Sequence, residues 1–310
     1  MPTITPPDTS ANAPAPMQGV IAFSITPLAP DESVDEARLL SHIDELIAGG
    51  ADGITLFGST GAIGSFTEVE RKRVVEAALP HVAGRVPVMV GTGAISTAEA
   101  VRLSQHAQEH GASAALVVPI SYWLLGEAEL LAHYKAVNDA ISIPLAIYNS
   151  PRLTGIDMLP PFIARLAELQ NVRYLKESSP DILRIAQVKR LTGGRLKVFA
   201  GRDDSVLEAV QVGADAWASG CANFMPGVCR RLLTLLGEPA SMHEARRLEA
   251  AIRPLSEYAM SKGLVRTCHD ALKALGKPVG APRRPIQPLE AVDYAQWRDL
   301  LTGARGALNF

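Results

Sequence analysis

Residues 50–61 read Gly-Ala-Asp-Gly-Ile-Thr-Leu-Phe-Gly-Ser-Thr-Gly. A glycine able to close a helix in the left-handed conformation comes first, a short apolar run follows, and a turn of glycines and hydroxyl residues ends it. Further on, Thr67 and Glu70 have the spacing of a capping box that starts a helix. One helix stops, a buried strand runs, and another helix begins. The phrase recurs as Gly111-Ala112-Ser113 and Gly213-Ala214-Asp215, and the cap spacing recurs at Ser33/Glu36 and Ser96/Glu99. Ser179 ahead of Pro180 reads as a fourth N-cap.

Working outward, short apolar runs occupy 20–25, 53–57, 86–90, 114–118, 145–148, 172–176, 196–200 and 214–218, with helix-length segments between them. Parallel neighbours need long crossovers, so this alternation predicts βαβ units whose strands are covered on both faces. Eight units favour a closed (β/α)8 TIM barrel, an α/β fold, over an open doubly wound sheet. The first strand ends in Ser24-Ile25-Thr26-Pro27, without the glycine-rich fingerprint of a dinucleotide site. Past residue 236 the strand pattern ceases. The reading is therefore a disordered leader over 1–18, rich in Pro, Thr, Ala and Ser, a barrel over 19–235, and a C-terminal helical extension over 236–310.

With 30 Lys+Arg against 32 Asp+Glu and no long basic block, the chain has no electrostatic footprint for nucleic acid. It also lacks a signal-peptide pattern and an apolar run long enough to span a membrane. Cys221, Cys229 and Cys268 are odd in number and lack C-x-x-C spacing, so reduced thiols and a cytoplasmic setting are expected.

In a barrel of this kind the chemistry sits at the C-terminal strand ends. There the sequence places Gly58-Ser59-Thr60-Gly61, Tyr148, Lys176, Gly201 and Ser219. Alternation along the sixth strand puts Val172, Tyr174 and Lys176 on one side. An inward amine would be desolvated, lose its proton readily and attack a carbonyl; an outward one would snorkel into water. The Tyr148 phenol could shuttle a proton or serve as a rim aromatic, and the Ser59-Thr60 turn could face an anion or be a plain βα turn.

Taken together and in order, these motifs resemble the dihydrodipicolinate synthase/N-acetylneuraminate lyase family of pyruvate-dependent class I aldolases. The likeness runs from Gly19 to about Leu289. It includes Tyr148-Asn149-Ser150-Pro151, Lys176-Glu177-Ser178-Ser179, Gly201-Arg202-Asp203 and residues 275–280. It implies that Lys176 forms a Schiff base with pyruvate or a related 2-oxo acid, that Tyr148 shuttles protons, and that Ser59 joins the relay. Thr60 would hold the carboxylate, with Gly58, Gly61, Gly201 and Ser219 shaping the binding site. It further implies a homotetramer built as a dimer of dimers, and no cofactor.

Three departures shape the expected activity. Ala62 stands where a Glu is common, Leu153 where true dihydrodipicolinate synthases carry a substrate-gripping Arg, and Ser121-Tyr122 where a second relay tyrosine is usual. Arg152 lies one residue early. The leading reading is a Schiff-base lyase or aldolase acting on a 2-oxo acid, by aldol cleavage, condensation or sugar-acid dehydration. Its second substrate is an aldehyde or a sugar acid, and either Tyr122 completes the relay or it ends in Ser121 or water. The alternatives are a 4-hydroxy-tetrahydrodipicolinate synthase, condensing pyruvate with aspartate semialdehyde, and a barrel that binds a keto acid without catalysis.

Other signals read as structural. His106, Glu109 and His110 fit H-x-x-E-H, but no third ligand is evident and histidine suits a helix C-terminus, so no metal is expected. Asp203-Asp204 reads as a solvated helix start, and Cys221 as packing.

Overall fold

The apolar runs form eight parallel strands: β1 Gly19–Phe23, β2 Gly53–Leu56, β3 Val88–Gly91, β4 Ala114–Val117, β5 Leu145–Asn149, β6 Val172–Glu177, β7 Lys197–Ala200 and β8 Ala216–Ser219. In the computed structural model, which describes residues 16–308, they pair in sequence order and β8 closes on β1. Around them lie α1 Glu36–Ala48, α2 Glu68–Val82, α3 Thr97–Glu109, α4 Glu127–Ala140, the short α5 Pro151–Thr154, α6 Pro160–Leu166, α7 Leu183–Leu191 and α8 Val206–Gln211. The chain ends with α9 Pro226–Leu236, α10 Met242–Lys262, α11 Leu264–Ala274 and α12 Ala291–Leu308. Among the described residues, no helix is long and apolar enough to cross a membrane.

The repeated Gly-Ala-Asp/Ser phrase has two jobs. Gly50, Gly111 and Gly213 adopt φ of 95°, 87° and 101°, as a left-handed helix stop requires. The third residue then turns back to the neighbouring strand. Asp52 accepts the Val20 N–H at 2.8 Å, the Ser113 hydroxyl accepts that of Val88 at 3.2 Å, and Asp215 accepts that of Val198 at 2.9 Å. Each unit thus caps the strand before it.

Two expected helix starts are different. Asp35, not Ser33, caps α1 by accepting the Arg38 N–H at 3.0 Å, because Ser33 is held by Asp31. Ser179 does not cap α7: its N–H goes to the Glu177 carboxylate at 2.7 Å, and Asp181 accepts the Leu183 N–H at 3.1 Å instead. Thr67 and Glu70 do form a full capping box, and Ser96 accepts the Glu99 N–H.

Residues 1–15 of the expected leader lie outside the described residues. Met17, inside its expected span, is buried against the barrel floor, and its N–H reaches the Tyr174 hydroxyl at 3.3 Å. At the other end, Trp297 of α12 stacks on Tyr258 of α10 and meets Phe224 edge-on, so the C-terminal helices are joined to the loop after β8.

Between β5 and β6 the register slips by one residue. Leu145 pairs with Val172, but Ala146 pairs with Tyr174, and Arg173 is left outward and exposed. Beyond this bulge Tyr148 lies beside Lys176. Without the extra residue Tyr148 would face Leu175, because a one-residue shift exchanges the two faces of a strand.

Candidate active site

Strand β6 carries Lys176 to the barrel mouth and buries it at 4% exposure. Aromatic faces take the place of water around its nitrogen: Nζ lies 3.4 Å from the centroid of the Phe23 ring and 4.4 Å from that of Tyr148. Burial holds the amine below its ordinary pKa, against the opposing pull of the Tyr148 oxygen and the Asp203 carboxyl. The consequence is an amine that sheds its proton more easily than a surface lysine.

Gly58 makes this packing possible. A Cβ there would stand 2.3 Å from the Phe23 ring, so any side chain would displace the ring on which the amine packs. Gly201 has a similar role at the end of β7, where a Cβ would meet Ser178 Oγ at 2.0 Å.

Tyr148 is also buried, and its hydroxyl lies 3.2 Å from Ser59 Oγ. Burial by itself raises the phenol pKa, but the Lys176 charge and hydrogen bonding with Ser59 and Ser150 bring it below its ordinary value. The charge of Lys176 and the Tyr148 oxygen thus act on one another, each pulling the other's pKa toward its ionised form. Their neighbours along the strands hold this pair in register: Asn149 donates to both carboxylate oxygens of Glu177, at 3.2 and 3.1 Å.

A cavity of about 250 Å³ opens above the pair. Ser59, Thr60, Tyr148, Lys176 and Gly201 line it together, as the strand-end reading expects. Gly58 and Gly61 shape the turn beneath Ser59 and Thr60; a Cβ on Gly61 would meet the Ser24 carbonyl at 2.8 Å. Ser219 is placed elsewhere. Its hydroxyl donates to Asp203 at 2.6 Å and accepts the Ala222 N–H, so it braces the floor of the site instead of lining it. Tyr122 is 85% exposed, packs edge-on against Trp123, and does not line this chain's cavity; nor does Ser121.

Asp203 overturns its reading as a solvated helix start. It is 3% exposed, accepts hydrogen bonds from the Ser219 hydroxyl and the Gly220 N–H, and has a pKa raised by burial. An aspartate followed by a second aspartate after a strand looks solvated in sequence; the end of β8, which binds its carboxyl, and the packing of α10 on that turn bury it. Cys221, Cys229 and Cys268 are buried free thiols around the same floor.

Composition and strand periodicity also missed the far wall. Met260, Lys262, Gly263, Leu264 and Arg266, from the junction of α10 and α11, face the strand ends across the cavity. Leu153 lines it too, while Arg152 turns its guanidinium to the Met260 carbonyl at 2.9 Å.

A profile of the Dihydrodipicolinate synthetase family matches residues 16–304. The chain belongs to that family. Its members are pyruvate-dependent class I lyases and aldolases, and this protein is a lyase of that type. It is 34% identical over 279 residues to the 4-hydroxy-tetrahydrodipicolinate synthase of Citrifermentans bemidjiense, covering 90% of this chain and 96% of that one. Among solved structures, dihydrodipicolinate synthase from Aquifex aeolicus superposes with a TM-score of 0.89 at 30% identity, covering 95% of this chain and 100% of the other. YagE of Escherichia coli K12, a member of the same family solved with pyruvate, gives 0.88 at 29% identity, covering 94% and 99%. The synthase family thus shares the whole barrel and its C-terminal helices with this chain.

Proposed function

We propose that the protein makes or breaks a bond beside the keto carbon of a 2-oxo acid carried as a Schiff base on Lys176. One observation carries this reading: a buried amine packed on the Phe23 and Tyr148 rings, with Ser59 3.2 Å from the Tyr148 phenol. The neutral amine adds to the keto carbon, Tyr148 moves one amine proton to the new carbinolamine oxygen, and a second proton, given by the phenol and replaced from solvent, lets that oxygen leave as water. The resulting iminium withdraws electrons, so a C–C bond can be cleaved or formed next to it, or a β-hydroxyl expelled. Water then adds back and releases the product and the free amine. Thr60 and the turn around it are placed to hold the 2-oxo acid carboxylate.

The charge of the cavity supports a narrower substrate class. Arg152, Arg202, Lys262 and Arg266 line it, with no Asp or Glu. Arg202 is paired with Asp204 and Lys262 with Asp293, and Arg152 is held by the Met260 carbonyl. Arg266 has no hydrogen bond or ion pair among the described residues. The second substrate, aldehyde or sugar acid, therefore carries an anionic group of its own that Arg266 receives.

The bound pyruvate of YagE supports pyruvate as the first substrate, and the name of YagE as a 2-dehydro-3-deoxy-D-gluconate aldolase supports a sugar-acid reaction. Condensation of pyruvate with aspartate semialdehyde is the second reading, favoured by relatives named as 4-hydroxy-tetrahydrodipicolinate synthases. Against it stand Leu153 and the occupied guanidinium of Arg152. The exposed Tyr122, Trp123 and Leu124 support a homotetramer built as a dimer of dimers, in which Tyr122 or Ser121 reaches the partner's site. The buried, unpaired thiols fit a cytoplasmic setting.

Incubation with pyruvate followed by borohydride should leave one adduct per chain, mapped to Lys176 by peptide mass. The same trap with a panel of 2-oxo acids ranks the substrates, and turnover with aspartate semialdehyde of about 1 per second or more would favour the synthase reading. An unchanged mass across the panel would leave a barrel that binds keto acids without chemistry.

A further inference from the structure

We propose that Glu76, His106 and His110 form a zinc site that fastens α2 to α3 on the outside of the barrel. The H-x-x-E-H pattern puts His106 in the last turn of α3 and His110 at its C-cap, with ring centroids 4.1 Å apart. What the pattern lacks in sequence is supplied by the neighbouring helix. Glu76 Oε1 of α2 lies 2.9 Å from His106 Nε2. One ligand atom from each of the three residues lies within 4.8 Å of the other two.

Those separations suit the ion. A tetrahedral zinc with bonds of about 2.0–2.1 Å to nitrogen and oxygen holds its ligands about 3.3 Å apart, so small side-chain rotations bring the three together. His110 Nδ1 lies 2.8 Å from the His106 carbonyl. A proton kept on that nitrogen fixes the ring and leaves Nε2 as the ligand, the arrangement that usually orients a metal-binding imidazole. The His106 side chain is only 13% exposed and stays in place, whereas Glu76 is 52% exposed and leaves the ion an approach from solvent. Two imidazoles and one carboxylate favour zinc over magnesium or calcium, and a fourth position stays available for water.

The position in the fold indicates what the ion does. The histidines occupy the end of α3, just before the chain enters β4, and so lie at the barrel face opposite the cavity. Zinc there stabilises the outer layer and takes no part in the reaction at Lys176. An ordinary ion pair between Glu76 and His106, with His110 serving only the helix end, would have no such affinity.

The test uses the full-length, tag-free chain, stripped with a chelator and titrated with zinc chloride by calorimetry and by thermal melting. One zinc per chain should bind with micromolar affinity or better and raise the Tm. His110→Ala and Glu76→Gln should each weaken binding at least tenfold, whereas His243→Ala, at an exposed position elsewhere, should not. Borohydride trapping of pyruvate at Lys176 should be the same with and without zinc, so this result stands apart from the proposed reaction. Absence of saturable binding below about 100 μM zinc would overturn the proposal, as would binding that neither variant weakens.

Discussion

Replacing Tyr148 by Phe removes one oxygen atom and leaves the ring over Lys176. The structural loss is small: the phenol's hydrogen bonding with Ser59, at 3.2 Å, and with Ser150, about 1 kcal/mol for each. The expected kinetic loss is much larger. Proton transfer by a positioned side chain contributes about 10²–10⁴-fold, equivalent to about 3–5 kcal/mol at the transition state. The sign of the pKa effect makes the experiment discriminating. Burial lowers the Lys176 pKa, and among the influences opposing it the Tyr148 oxygen is the largest. Without that oxygen the amine is neutral at still lower pH. If amine neutrality alone limited the reaction, Tyr148→Phe would form the pyruvate adduct as fast as the parent or faster. If the phenol carries the proton, adduct formation slows by about two orders of magnitude or more while the Tm stays within a few degrees. Rapid-quench borohydride trapping from about pH 6 to pH 9 measures this directly. A rate within threefold of the parent across that range would refute the shuttle.

Arg266→Met should raise KM for the second substrate by about tenfold or more and leave trapping of pyruvate unchanged; equal effects on both would place Arg266 on the first carboxylate. Burial lowers His42 to a pKa of about 4, so between that value and its ordinary 6.5 the unfolded chain binds a proton that the folded chain refuses. Stability should therefore fall by about 3 kcal/mol as pH drops through this window, with His269 acting in the same direction. His42→Leu should flatten the denaturant midpoint across it, because Asn223 Oδ1 keeps its hydrogen bond from the Ile25 N–H. Ala83 ends α2 at a φ of 50°, an exposed left-handed position, so Ala83→Gly should stabilise by about 0.5–1 kcal/mol in urea unfolding. A destabilisation there would show that the helix end is held by something other than backbone conformation.

The barrel was legible because each unit repeats a buried run between helix signals, and burial on both faces makes such runs conspicuous. Their edges were less so. Ala214 and Asp215 look like part of the last strand, yet they form the turn in which Asp215 caps Val198. The cap at Ser179 failed because α7 starts only at Leu183, where Asp181 accepts the first N–H, a shift of the helix start that the spacing does not reveal. Lys176, Tyr148 and Ser59 stood out as polar groups at apolar strand ends. The 28 positions separating Tyr148 from Lys176 were visible too, but the bulge at Arg173 that turns this separation into side-by-side pairing was not. Asp203 and the wall around Arg266 depend on contacts between distant segments, and local periodicity holds no record of those. Gly263 between two helical stretches was the available hint, because its φ of 100° sets the bend that brings Arg266 to the cavity.

That bend divides the labour of the molecule between two inheritable parts. In the proposed reaction the bond-making groups arise from the staves of the barrel, whereas the wall facing them is contributed in large part by the bend between two late helices. Variation around residues 260–266 can retune selectivity without disturbing the strands that position the amine. Laboratory libraries seeking new partners for the 2-oxo acid should therefore diversify this hinge first, and a chain cut after residue 236 would lose discrimination along with its roof.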